Sequence, residues 1–222
     1  MQVPLLRDLG LRDYEPVWRR MQQFNRSRDD ATRDEIWFLQ HRPVYTLGMN
    51  ADASHVLMPG DIPVINIDRG GQVTYHGPGQ LVVYPLINLK RLDLGVRALV
   101  TALEQSIVET LAGYGCAAAA RADAPGVYVD DAKIASIGLR IRRDCSYHGL
   151  AFNIDMDLEP FLRINPCGFR GLEVTQLSAI GGPANPETVR TDLARRLLAN
   201  LGYNAPPDIS FAEAPQELDE AS

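Results

Sequence analysis

Residues 69–84 read RGGQVTYHGPGQLVVY, and the fold turns on this stretch. Gly70 and Gly71 follow the apolar run VINI at 64–67. A short β-type segment over residues 73–75 comes next. Gly77-Pro78-Gly79 then makes a tight turn, Pro presetting φ and Gly supplying a positive one. Residues 81–86 form a buried strand closed by Pro85. Strands this short, joined by glycine turns, predict a β-meander. Ordinary turns account for the glycines alone. The density of Arg69, Thr74, Tyr75, His76 and Gln80 among them points to a binding site, because bare glycine backbone lets a ligand come close. No GxxxxGKS or GxxxxGKT phosphate loop is present, and no GxGxxG opens a helix.

Upstream, residues 11–28 place Tyr14, Val17, Trp18, Met21 and Phe24 at helical spacing. EIWFLQ at 35–40 and VYTL at 44–47 read as strands separated by Pro43. Residues 51–60 are a loop with room for a short helix. Downstream, residues 94–114 carry the strongest helical period, through Val96, Leu99, Val100, Leu103, Ile107, Val108 and Leu111, with Gly113 or Gly115 as the stop. Short β-type stretches follow at 116–120, 126–129, 133–141 and 147–155. Residues 158–163 suit one or two helical turns, and 165–168 a sharp turn. Residues 186–201 form a last amphipathic helix, with Asn185 as N-cap and Pro186 in the first position. The pattern is an α+β (α/β) domain over residues 1–205, with a mixed, mostly antiparallel sheet flanked by helices. The Pro- and acid-rich residues 206–222 are expected to be a flexible tail.

The 222 residues are 45% hydrophobic, with a formal net charge of −6. That charge argues against nucleic acid as the main partner. No apolar run reaches the length of a membrane span, and the N-terminus lacks the pattern of a secretion signal. Three cysteines without CxxC spacing suggest reduced thiols in a cytoplasm. No long apolar stripe is left over, so a monomer is expected. Only two lysines occur, Lys90 and Lys133, among many arginines. Arg cannot release its proton in a protein but a buried Lys can, so a position needing a titratable ammonium would keep Lys.

Cys167 lies between Pro166 and Gly168, where a turn leaves a thiol accessible. Cys145 has basic neighbours, and Cys116 opens an inert alanine run. Lys133 opens a strand whose alternate residues are apolar, an odd place for a solvent-seeking side chain. It is either an edge lysine that discourages aggregation or an ammonium beside a reactive group. A thiolate next to lysine has a lowered pKa and is a good nucleophile. His76 and His148 keep a Cys–His arrangement open. His41 and His55 show no metal-site spacing and read as structural.

RGGQVTYHGPGQLVVYPL, KIASIGLRIRR, HGLAFNIDMDL and INPCG, in that order and spacing, resemble the octanoyltransferase family of lipoate biosynthesis, over about residues 35–177. The resemblance implies the fold of biotin and lipoate protein ligases, a large mixed sheet flanked by helices. It implies an acyltransferase with no cofactor and no metal, in which Cys167 carries an acyl thioester and Lys133 lowers its pKa and moves protons. Three segments match the family's acyl-substrate contacts. The first holds Arg69, Gly70, Gly71 and Gln72, continuing through Val73, Thr74, Tyr75 and His76. The second is Ser136, Ile137 and Gly138; the third is Gly149, Leu150 and Ala151. The implied donor is octanoyl-acyl carrier protein. The implied acceptors are apo lipoyl domains of 2-oxoacid dehydrogenases and the glycine cleavage H protein.

The chemistry of the residues is compatible. Thioester exchange needs no ATP, and amide formation draws it forward. Oxyanion donors are expected at backbone N–H groups near Gly168 or Gly138. A narrow apolar slot walled by glycines suits an eight-carbon chain, and a bulky residue at Gly149 is expected to shorten it. Acidic carriers would seek local positive charge at Arg140, Arg142 and Arg143, then Lys90 and Arg91. An ATP-dependent ligase, a non-enzymatic binder of acylated partners and a Cys–His hydrolase are the alternatives. Cys167 and the lack of a GRGRxxR-like segment weigh against the ligase.

Overall fold

The computed structural model describes residues 2–121, 124–168, 171–204, 206–215 and 218, with the backbone alone at Cys167. Strand β1 (Leu5–Arg12) leads into helix α1 (Tyr14–Ser27), then β2 (Glu35–His41), β3 (Val44–Leu47), β4 (Val64–Asn66), β5 (Val73–His76) and β6 (Gln80–Leu86). Helix α2 (Val96–Gly113) follows, then β7 (Ala119–Ala120), β8 (Gly126–Val129), β9 (Ala132–Arg142), β10 (Cys145–Asn153) and helix α3 (Pro186–Asn200). A seven-stranded sheet runs β1-β2-β6-β10-β9-β8-β7, and a three-stranded sheet runs β4-β3-β5. Among the strands described, β1–β2 and β3–β4 pair parallel and the other pairs are antiparallel. This is the mixed, mostly antiparallel α+β architecture that the sequence predicts.

The large sheet is apolar on both faces, which is why its central strands read as unbroken hydrophobic runs. Ile36, Phe38, Leu81, Val83, Leu150 and Phe152 turn to one side, against Leu99, Leu103 and Ile107 of α2 and Leu193 and Leu197 of α3. Trp37, Leu39, Val82, Tyr84 and Ala151 turn to the other, against Val17 and Met21 of α1. Two residue-by-residue alternations thus sandwich the sheet between helices. Asn185 caps α3, its side chain accepting from Glu187 N–H at 2.8 Å. Among the described residues no helix is long and apolar enough to cross a membrane.

Two elements differ from the sequence reading. Residues 11 and 12 belong to β1, which the sequence reading lacks, and the helix begins only at Tyr14. A register shift between Asp8 and Gly10 breaks the two-residue period of β1, so its pattern matches no simple template. The β segment at 116–120 shrinks to Ala119–Ala120. Part of the C-terminal segment lies against β1. Ala212 N–H donates to Leu6 O at 2.8 Å and Asp8 N–H to Ala212 O at 2.9 Å, extending the sheet edge, and Leu218 is buried in the apolar cluster that holds Leu9 and Trp37.

Candidate active site

Lys133 is placed by a defect in strand pairing. Gly126 pairs with Ser136 and Val127 with Ala135, but Tyr128 pairs with Lys133, so Ile134 is an extra residue in β9. Ile134 and Ala135 both enter the core beneath α2. The bulge turns Lys133 away from that core, onto the face of Ser136 and Gly138. A Cβ placed on Gly126, the cross-strand partner of Ser136, would lie 2.6 Å from Lys133 Cε. The lysine is 3% exposed. Its Nζ donates to Pro125 O at 3.0 Å and stands 5.3 Å from the centre of the Tyr128 ring. Its backbone is fixed to a passing segment, through Glu173 O at 2.8 Å and Thr175 N at 2.9 Å.

On that face opens a cavity of about 480 Å³, mouth included. The expected residues Arg69, Gly71, Gln72, Val73, Thr74, His76, Ser136, Ile137, Gly138, Gly149, Leu150 and Ala151 line it. Tyr14, Val82, Tyr84 and His148 complete its wall. Gly70 and Tyr75 do not line it. Gly70 N–H bonds Leu139 O at 2.9 Å, tying the glycine turn to β9. The Tyr75 ring turns away, packing on Tyr45 and Phe161, because alternation along β5 sends Thr74 and His76 to the opposite side. Arg69 is buried, its guanidinium donating to Gly70 O and to the carbonyl and hydroxyl of Thr46 at 2.8–2.9 Å.

The wall rests on a network of neutral histidines. Burial lowers the pKa of His41 to about 4 and takes that of His76 well below its ordinary value. Burial also lowers His148, partly opposed by Asp68. His76 Nδ1 faces Gln80 Oε1 at 2.8 Å, and His41 Nε2 faces the Tyr84 hydroxyl at 2.8 Å. His148, with a left-handed backbone (φ 58°), sets Nε2 2.9 Å from Asp68 Oδ1 and Nδ1 3.3 Å from the Tyr14 hydroxyl. Burial would raise the Asp68 pKa. Hydrogen bonds from His148, Tyr147, Trp18 and Gln22 outweigh it and hold the carboxyl well below the usual range. His76 and His148 are therefore held in hydrogen bonds within the cavity wall.

Pro166–Gly168, the turn bearing Cys167, is a single 3-10 turn. A Cβ on Gly168 would come within 3.4 Å of the Gln72 side chain and 3.5 Å of His55 Nε2, so the turn abuts the rim of the cavity. Asn165 N–H bonds His55 O at 2.8 Å, and the Asn165 amide meets His55 Nδ1 at 3.3 Å. The histidine beside this turn is thus His55, which sequence reading treats as merely structural. The Gly168 N–H, one expected oxyanion donor, already bonds Asn165 O at 3.0 Å. Gly149 is also closely packed. A Cβ there would lie 2.0 Å from Val83 O, so its first role is to let β6 and β10 approach.

The chain matches the Lipoyl protein ligase A/B catalytic domain family over residues 13–198. It is 66% identical over 177 residues to an octanoyltransferase of Hahella chejuensis (strain KCTC 2396), covering 80% of this chain and 79% of that one. It is 61% identical over 203 residues to an octanoyltransferase of Klebsiella pneumoniae (strain 342), covering 91% and 94%. The chain belongs to the octanoyltransferase family. Membership makes it an acyltransferase, with octanoyl transfer in lipoylation as the family's activity. The fold agrees with the biotin and lipoate ligase fold. A lipoate-protein ligase A bound with ATP superposes with a TM-score of 0.81 at 14% identity, covering 99% of this chain and 92% of that one. A putative lipoate protein ligase of T. acidophilum with bound lipoic acid gives 0.79 at 14%, with the same coverage.

Proposed function

We propose that the enzyme moves an octanoyl group from octanoyl-acyl carrier protein to the lysine amine of an apo lipoyl domain, through a thioester on Cys167. The observation that carries this reading is the convergence of two distant segments on one cavity. The Cys167 turn abuts Gln72, and Lys133 shares its strand face with Ser136 and Gly138; Gln72, Ser136 and Gly138 line the cavity. The apolar, glycine-walled interior suits an unbranched acyl chain.

The steps balance without an external reagent. The Cys167 thiolate attacks the donor thioester carbon, and the carbon–sulfur bond to the carrier arm breaks. The departing thiolate takes a proton from the Lys133 ammonium. The acceptor amine then attacks the enzyme thioester, a carbon–nitrogen bond forms, and Cys167 leaves as thiolate. The amine's proton passes to the now neutral Lys133. Exchange of one thioester for another is near neutral, and the amide draws the sequence forward. The acceptors are the lipoyl domains of 2-oxoacid dehydrogenases and the glycine cleavage H protein, and the setting is the cytoplasm.

The test is octanoyl transfer between purified carrier and apo lipoyl domain without ATP or magnesium. Transfer abolished in Lys133→Met supports the reading. A requirement for magnesium–ATP and free octanoate would replace it with a ligase, and release of free acid in place of transfer would replace it with a hydrolase.

A further inference from the structure

The peptide group joining Pro125 and Gly126 is held at both ends. Its carbonyl accepts from Lys133 Nζ at 3.0 Å, and its N–H donates to Glu104 Oε1 at 3.0 Å. Glu104 stands on α2, on the sheet face opposite the cavity. Nothing in its sequence surroundings marks it, since one acidic side chain on an amphipathic helix is ordinary. Around that peptide the structure builds a cradle. The Tyr128 hydroxyl donates to Ala124 O at 3.1 Å, and the Tyr128 ring lies beside the ammonium. Gly126, at φ 138°, leaves no room for a side chain, because a Cβ would sit 2.4 Å from Ala135 O and 3.1 Å from Lys133 Nζ.

We propose that Glu104 is a positioning residue for Lys133, acting through the Pro125–Gly126 peptide. The inference rests on the assignment of Lys133 to proton transfer. In a trans peptide the N–H and C=O point in opposite directions, so carboxylate, amide and ammonium form one aligned chain. A carboxylate at the N–H end polarises the amide and strengthens its carbonyl as an acceptor, and hydrogen bonds to charged groups are the stronger kind. The carbonyl thereby holds the ammonium in one place while thiolate and tetrahedral intermediates form and collapse. A 1 Å displacement of such a group costs about a hundredfold in rate.

The experiment follows the pH dependence of Cys167 alkylation by iodoacetamide, read on the Cys167 peptide by mass spectrometry, together with kcat and KM for octanoyl-carrier protein. Glu104→Ala is expected to raise the alkylation midpoint by about one pH unit. It should lower kcat about ten- to a hundredfold with KM nearly constant. Glu104→Gln keeps an acceptor for Gly126 N–H without the charge and is expected to recover part of the loss. Glu104→Asp, one methylene short, is the gentler check on folding and should shift in the same direction as Glu104→Ala. In a Lys133→Met background, Glu104→Ala should add nothing further. If Lys133→Met moves the midpoint and kcat while Glu104→Ala and Glu104→Asp leave both as in wild type, the positioning role is overturned alone. If Lys133→Met itself changes neither, the assignment of Lys133 falls first. An effect of Glu104→Ala that persists undiminished without Lys133 would also overturn the proposal.

Discussion

Lys133 and Ser136 are three residues apart on one strand and face the same side of the sheet, because the bulge at Ile134 cancels one step of the alternation. An uninterrupted β9 would send Lys133 inward with Ala135 and Ile137, against the core below α2. Deleting Ile134 should therefore drive the ammonium into that core. The expected outcome is loss of transfer and destabilisation of several kcal/mol, the cost of burying an unsatisfied charge. Adding Lys133→Met to the deletion should restore the melting temperature without restoring transfer. A deletion variant with wild-type activity would show that the bulge does not place the lysine.

The two glycines that face each other across β9 and β10 should respond differently. Gly138 and Gly149 are register partners. A Cβ on Gly149 would strike Val83 O at 2.0 Å, whereas one on Gly138 would press Arg69 Cδ at 3.0 Å. Gly149→Ala is expected to lower stability by about 2–4 kcal/mol, within the range for buried backbone and overpacking defects. Gly138→Ala should stay folded and act on the cavity, slowing longer acyl chains more than shorter ones. Denaturant melts and rates with six-, eight- and ten-carbon donors separate the two.

The buried histidines predict a definite acid limb of stability. An unfolded histidine takes up its proton near pH 6.5. In the fold His41 does so only near pH 4, and His76 and His148 are lowered as well. Below pH 6.5 the unfolded chain binds more protons, so stability falls as pH falls, by up to about 1.4 kcal/mol per pH unit for each such histidine. Asp68 acts in a lower window. Its depressed pKa stabilises the fold above the usual carboxylate range, and that contribution is lost only as acid protonates the native carboxyl. Urea melts at pH 7.5, 6.0 and 5.0 should show the histidine slope; a flat profile between 6.5 and 5 would contradict it.

Arg142 and Arg143 lie exposed at the β9–β10 turn, whereas Arg91 is engaged with Asp30 O, Thr32 O and Asp34. Reversing the charge of the exposed pair should slow turnover of an acidic carrier several-fold at low ionic strength and much less at 0.5 M salt. An effect unchanged by salt would argue against electrostatic steering. Arg91 reversal should instead lower the melting temperature.

Much of the fold is written locally. The glycine turns of residues 69–84, the period of α2, the cap of α3 and the continuous apolar runs of β2 and β6 are visible within short windows. What escapes such reading depends on pairing between distant segments. The register shifts of β1 and β9 hide a strand in one case and rotate Lys133 in the other. Tyr14, Asp68 and His148 meet across 134 residues of chain, and Glu104 reaches Gly126 through the end of a sheet strand. The two-residue strand period puts Thr74 and His76 on one face and Tyr75 on the other once β5 is known to be a strand. The motif resemblance names the segments at the cavity, but their side-chain directions come from the sheet.

The central claim is a covalent intermediate on Cys167. Its most direct test is the intact mass of the enzyme after mixing with octanoyl-carrier protein and no acceptor. The account predicts a single octanoyl adduct, removed by neutral hydroxylamine and missing in Cys167→Ser. Transfer to added lipoyl domain with no adduct ever formed, or an adduct that survives in Cys167→Ser, would contradict it.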